Sequence, residues 1–165
     1  SGSALVARKV AVLVVMAGHI ENPDSVEYNV ENDLPSCQEV FAKWPGEIVV
    51  TPFELGLAAK LPASCLKNDF GWTDHHPALD AVMAARGPYA DYPTRDMTAV
   101  VYAVVGCAGY FTLSRPGTIT VTARGCTHFQ AVSRGRHRYG LSDHIQSARR
   151  VKHMCDRVSG IRKTR

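Results

Sequence analysis

Hydrophobic and polar positions follow two rhythms along this chain, and the change between them falls near Gly109. Residues 10–16, Val-Ala-Val-Leu-Val-Val-Met, are apolar at every position, which suits a strand covered on both faces in a parallel sheet. Ala17-Gly18 closes that run as a turn. Asp33 stands where a helix cap is needed, Pro35 falls in the first turn, and Leu34, Cys37, Val40 and Phe41 recur at helical spacing as far as Lys43. Trp44-Pro45-Gly46 then stops the helix, and residues 48–51 form a second short apolar run. Strand, helix, strand in this order predicts a right-handed crossover between parallel strands. A further helix is signalled by Thr73 or Asp74 as cap, Pro77 in its first turn and Leu79, Val82 and Met83 on its apolar face, ending at Gly87. Another opens near Asp96 and carries Ala99, Val100, Tyr102 and Ala103.

Beyond Gly109 the pattern shortens. Residues 110–113, 119–121 and 128–132 alternate between apolar and polar and are separated by Pro116-Gly117 and Gly125, which predicts antiparallel strands. From Asp143 a helical stripe returns through Ile145, Ala148, Val151, Met154 or Cys155, and Val158. Arg149, Arg150, Lys152 and Arg157 fall on its other faces. The expected fold class is α/β: a mostly parallel sheet with flanking helices over residues 10–105, a small antiparallel extension and a C-terminal helix. With 165 residues, 45% of them hydrophobic, the chain has enough apolar surface for a single domain, 1–165. The basic end, 159–165, reads as a flexible tail.

Composition narrows the setting. The apolar run at 10–16 is about half of the ~20 residues a membrane-spanning helix requires, so it predicts no membrane span. Arg8 and Lys9 before it mimic the opening of a secretory signal, but the β-branched run followed by acids reads better as a buried strand. Cys37, Cys65, Cys107, Cys126 and Cys155 are odd in number, widely spaced and without a CxxC pair or a histidine at zinc-ligand spacing. They read as small buried hydrophobes kept reduced, and a cytoplasmic location is expected. The net charge of +4 conceals a division: residues 1–114 hold 7 basic and 13 acidic side chains, residues 115–165 hold 12 and 2. Such a division can mark an anionic partner. The basic third has no aromatic-basic motif or recognition helix, so nucleic acid is not the expected partner.

Three segments carry polar detail that packing does not demand. The first, 16–33, follows the end of the apolar strand, where open α/β sheets bind ligands. Within it Glu27 and Asn29, two apart in extended backbone, would face the same side and could grip neighbouring hydroxyls of a sugar; as ordinary loop and cap residues they would only be solvated. The second, Pro93-Thr94-Arg95-Asp96-Met97-Thr98, puts an acid at a helix start, either as a dipole partner or as a metal ligand. In the third, Thr51-Pro52-Phe53-Glu54, Glu54 would face the same crevice.

In this order the segments resemble the inosine/uridine-preferring nucleoside hydrolases. The features that carry the resemblance are Met16-Ala17-Gly18 after a strand, the Glu27-Tyr28-Asn29 motif, Trp44-Pro45 before a second strand, and Asp96-Met-Thr-Ala-Val-Val-Tyr102 opening a helix. The resemblance implies ribose-hydroxyl contacts from Glu27 and Asn29, with Asn22 and Glu54 beside them, a calcium ligand at Asp96, and hydrolysis of a nucleoside to ribose and free base. It also implies two departures. Arg95 stands where many members place a proton-donating histidine, and a guanidinium has no useful proton to give at neutral pH. His75 or His76 would be the substitute donor, His76 before Pro77 reading equally as an ordinary helix-entry residue. Members also begin with a strand and an Asp-rich loop supplying most of the calcium ligands, and nothing similar precedes Val10. Calcium takes 6–8 oxygens, more than Asp96 provides. The chain is thus expected to correspond to the C-terminal portion of such an enzyme, a truncated domain inactive in isolation. An open sheet edge would call for a second copy or a complementary chain. Two other readings remain: a non-catalytic oligomeric binding or assembly protein reusing part of the fold, and a basic protein associated with nucleic acid.

Overall fold

A computed structural model describes residues 2–70, 72–87 and 90–158. The basic segment 159–165 lies outside the described residues. The chain opens with a helix, α1 (Gly2–Lys9), that buries none of its residues and is not signalled by the sequence pattern. The first apolar run supplies β1 (Val12–Val15). Two helices follow, α2 (Tyr28–Asn32) and α3 (Leu34–Lys43), then β2 (Glu47–Val50). The predicted cap of α3 is present: the Asp33 carboxylate accepts from the Ser36 N–H at 3.2 Å, and Pro35 sits where a helix has no use for an N–H.

Between β2 and the next predicted helix the chain forms α4 (Phe53–Ala58), the two-residue strand β3 (Lys60–Leu61) and α5 (Ala63–Asn68). The helix entered through Pro77 is α6 (Pro77–Arg86). Its cap is His76, not Thr73 or Asp74, and Gly87 ends it at φ 73. After β4 (Tyr92–Pro93), which pairs antiparallel with β3, comes α7 (Arg95–Val105). The last third contributes β5 (Gly117–Val121), β6 (Thr127–Ala131), β7 (His137–Tyr139) and α8 (His144–Val158). Among the described residues, no helix is long and apolar enough to cross a membrane.

The main sheet has the order β1-β2-β7-β5-β6. β1, β2 and β7 are parallel, β5 runs against β7, and β6 against β5, so four of the five strands point one way. The expected α/β class is therefore met, and the antiparallel strands extend the main sheet at one side. They join the same sheet through β7, which comes from the basic segment and completes the parallel core. Residues 110–113, expected as a strand, make only a bridge from Leu113 to Gly140.

β1 differs most from expectation. It stands at the edge of the sheet, paired with β2 on one side only, and all four of its residues are half-buried rather than enclosed. Ile48 and Val50 of β2 pack with Phe41 of α3, Val30, Ala17 and Ile119 in one cluster. A second cluster joins Leu55 and Ala59 with Val101 of α7, Phe111 and Met154 of α8. The basic face predicted for α8 also needs correcting. Arg150 is fully buried; its guanidinium donates to the Tyr110 carbonyl at 2.6 Å and the Ser147 hydroxyl at 2.7 Å and lies 5.1 Å from the Phe111 ring. Burial pulls its pKa down to about 10.

Candidate functional site

The parallel strands β1 and β2 end side by side, and the segments that leave them are tied together by backbone bonds. Thr51 N–H donates to the Val15 carbonyl, and Phe53 N–H to the Gly18 carbonyl, both at 2.9 Å. The exit from β1 turns at Gly18, whose φ of +78 favours glycine, and a Cβ there would lie 2.7 Å from the Thr127 hydroxyl oxygen. The C-terminal ends of parallel strands are where α/β sheets take their ligands. At this end a cleft of about 360 Å3 is lined by Met16, Glu27, Tyr28, Asn29, Phe53, Arg95 and Asp96. That volume lies in the range of small-molecule sites.

Glu27 is buried and is the N-cap of α2. One carboxylate oxygen, Oε2, accepts from the N–H groups of Gly18 at 3.3 Å, Asn29 at 3.0 Å and Val30 at 3.4 Å. The motif therefore shares a cleft by helix capping and not by strand alternation: residue 27 is extended, residue 29 is already helical. Asn29, which lines the cleft, turns its Nδ2 to the Met16 carbonyl at 3.3 Å and the Met16 sulfur at 3.0 Å, which fixes the amide. Across from them α7 opens at Arg95. Gly56 on α4 meets the Arg95 backbone so closely that a Cβ would collide with Arg95 Cα, and this contact brings α7 to the cleft. The Arg95 guanidinium lies 4.8 Å from the Phe53 ring centroid, and its Nε is buried without a hydrogen-bond partner. Asp96 is exposed, in the first turn of α7.

Glu27, Asn29, Arg95 and Asp96 are thus brought together. Asn22, Glu54 and His76 do not line this cleft. Asn22 is exposed in a turn, where its carbonyl accepts from Ser25 N–H at 3.0 Å. Glu54 is buried and works on the backbone: Oε1 accepts from Ile20 N–H at 3.1 Å and Glu21 N–H at 3.0 Å, and Oε2 lies 3.7 Å from His19 Nε2. His76 packs its ring on Phe70 and Trp72 with centroids 4.8 and 5.8 Å away. The sequence pattern did not single out His19. It sits between Glu54 and the Phe53 ring, 5.1 Å away, and its position directly after the β1 turn was the available signal.

The donor set does not fit calcium. Among the described residues the one cluster of three or more potential His, Cys, Asp or Glu ligands lies elsewhere, at Cys65, Asp69 and Cys155, and Asp96 alone is far short of 6–8 oxygens.

No family model matches the sequence, and no curated protein matches it either. Among solved structures, a plant nucleoside hydrolase superposes with a TM-score of 0.69 at 17% sequence identity, over 93% of this chain and 57% of that one. The fold is nucleoside-hydrolase-like. This likeness is one of architecture. The chain spans less than two thirds of the plant enzyme's length, and within that span the hydrolase-like core carries a cleft at the strand ends.

Proposed function

We propose that this chain supplies the ribose-gripping half of a nucleoside N-ribohydrolase-type site and binds ribosides without hydrolysing them on its own. The observation that carries the reading is the meeting of Glu27, Asn29 and Asp96 in one cleft at the ends of β1 and β2. An immobilised carboxylate and a fixed amide lining one cleft suit the paired hydroxyls of a furanose, each of which both donates and accepts. The reaction of the complete site would be hydrolysis of the N-glycosidic bond to ribose and free base. Here the site lacks two parts for that chemistry. Arg95 stands in place of a proton-donating histidine, and a guanidinium has no useful proton to give a leaving base; Asp96 cannot build a calcium cage without ligands from another chain or segment.

The test is calorimetric titration of the chain with ribose and inosine, followed by an assay for released base with calcium present. Binding that weakens by about 1–3 kcal/mol in Asn29→Ala is expected, the cost of leaving a hydroxyl partner unpaired. No base should be released. Turnover that survives rigorous purification and vanishes in Asp96→Ala would refute the inactive half-site. Unchanged binding in Asn29→Ala would refute the ribose grip.

A non-catalytic assembly role remains a second reading because β1 presents an open edge. The basic third gives less support to a nucleic-acid role, since Arg150 is buried and Arg138 lies 3.5 Å from Glu47.

A further inference from the structure

Two cysteines 90 positions apart in sequence meet in a third apolar cluster, whose Phe70 also carries the His76 ring. Cys65 lies in α5, Asp69 is the cap that ends α5 one turn later, and Cys155 comes in from α8. Their two sulfurs and a carboxylate oxygen all lie within 4.8 Å of one another. Cys65 is buried among Leu61, Leu66 and Phe70, with Cys155 packed against the same cluster, while Asp69 and Cys155 are half-buried. None of the five cysteines is joined in a disulfide.

The surroundings hold the thiols protonated. Burial raises the Cys65 thiol pKa well above its ordinary value, and the neighbouring Cys155 and Asp69 push it further in the same direction. Burial raises that of Cys155 as well. A carboxylate held against two apolar-packed thiols opposes their ionisation, so neither is poised for disulfide exchange, which needs a thiolate. The three groups nonetheless converge on one point, where a cation would attract the carboxylate and favour both thiolates.

We propose that Cys65, Asp69 and Cys155 form a binding site for a thiophilic divalent cation of the zinc type. Two thiolates and a carboxylate are zinc ligands, and three protein ligands leave one tetrahedral position for water or a small ligand. Ligand atoms around tetrahedral zinc stand roughly 3.8 Å apart at a zinc–sulfur distance of about 2.3 Å, so closing the present triangle takes only rotamer-scale movement. Binding displaces the protons of both thiols. The bound ion would tie α5 to α8, joining segments on either side of α7.

The experiment uses the full chain, reduced with a phosphine. Zinc affinity is measured by competition with a chromophoric chelator, and cobalt replaces zinc to read sulfur-to-metal charge-transfer absorption. One ion per chain is expected, with thiolate-to-cobalt bands. The apparent zinc affinity should rise by up to about 100-fold per pH unit near neutrality, since two protons leave. Asp69→Asn, which keeps size and half-exposure, should weaken zinc at least tenfold with an unchanged circular dichroism spectrum. Cys155→Ser should lose most of the charge-transfer intensity, and Cys107→Ser, on an exposed residue, should change nothing. The proposal fails if the folded, reduced chain takes up no zinc. It also fails if Asp69→Asn and Cys155→Ser bind zinc as the unaltered chain does.

Discussion

Glu27 reaches back to the turn it follows: its Oε2 accepts from the Gly18 N–H at 3.3 Å while also capping α2. One carboxylate thus fixes both the exit from β1 and the helix that carries Asn29. Glu27→Ala removes three N–H partners at once and should cost about 1–2 kcal/mol of folding stability. Urea denaturation measures it; a loss below about 0.5 kcal/mol would mean that the cap is dispensable. Asn29 is exposed, and among the described residues its side chain bonds to Met16, so Asn29→Ala, which keeps the backbone bond to Glu27, should cost at most about 1 kcal/mol. That difference makes residue 29 the cleaner probe of ligand binding.

The approach of α7 to the cleft rests on a glycine. A Cβ at Gly56 would meet the Arg95 backbone and could not be accommodated by turning a side chain. Gly56→Ala should therefore destabilise by about 1–3 kcal/mol, as overpacking does, even though alanine favours helices over glycine. It should also displace Arg95 and Asp96 from the cleft. A midpoint in urea equal to that of the unaltered chain would show that the two helices separate freely.

Residues 33–43 were legible because cap, proline, apolar spacing and stop signal agree, and α3 follows them closely. β7 was illegible for the opposite reason. In Arg134-Gly-Arg-His-Arg138 the charges dominate the local pattern, although His137 turns inward against Phe41, 5.9 Å away, and Tyr139 packs against the same cluster. Gly135 was a clue: a Cβ there would run into the backbone of Gly117, a demand for close approach that a solvated basic loop does not make. The three segments of the cleft were legible as separate motifs. That Glu54 and His76 serve the backbone and the apolar packing instead depends on contacts with Ile20, Glu21 and Phe70, which no local spacing encodes. The pairing of Cys65 with Cys155 is hidden for the same reason.

His137 should give the chain a titratable stability. It is buried, and its Nδ1 accepts from the Ile119 N–H at 2.9 Å. Burial, then the nearby Arg136, lowers its pKa below the ordinary histidine value. The unfolded chain takes up the proton first as the pH falls. Stability is therefore full above about 6.5 and declines as the pH falls from there toward the folded-state pKa. Urea midpoints at pH 7.5 and 5.5 should differ in that sense, and the difference should shrink in His137→Gln. An equal difference in the variant would assign the acid sensitivity to other groups.

The last expectation concerns the open side of β1. Val12, Leu13, Val14 and Val15 are all apolar, only half-buried, and paired on one side alone among the described strands. α7 packs along this strand and leaves Val100 and Val104 64% and 76% exposed. An unpaired strand edge beside exposed valines is a template for another chain, and a symmetric pair of β1 edges would continue the sheet while covering both. The chain should therefore run as a dimer or larger species in light scattering at micromolar concentration. Val14→Lys sets a charge into the exposed edge, the device by which natural sheets resist edge pairing, and should shift the population toward the monomer. A single species near 18.0 kDa for the unaltered chain would mean that this edge is stable uncovered. The half-burial of β1 would then be the finished state of the fold, and neither a second copy nor a complementary chain would be required to stabilise it.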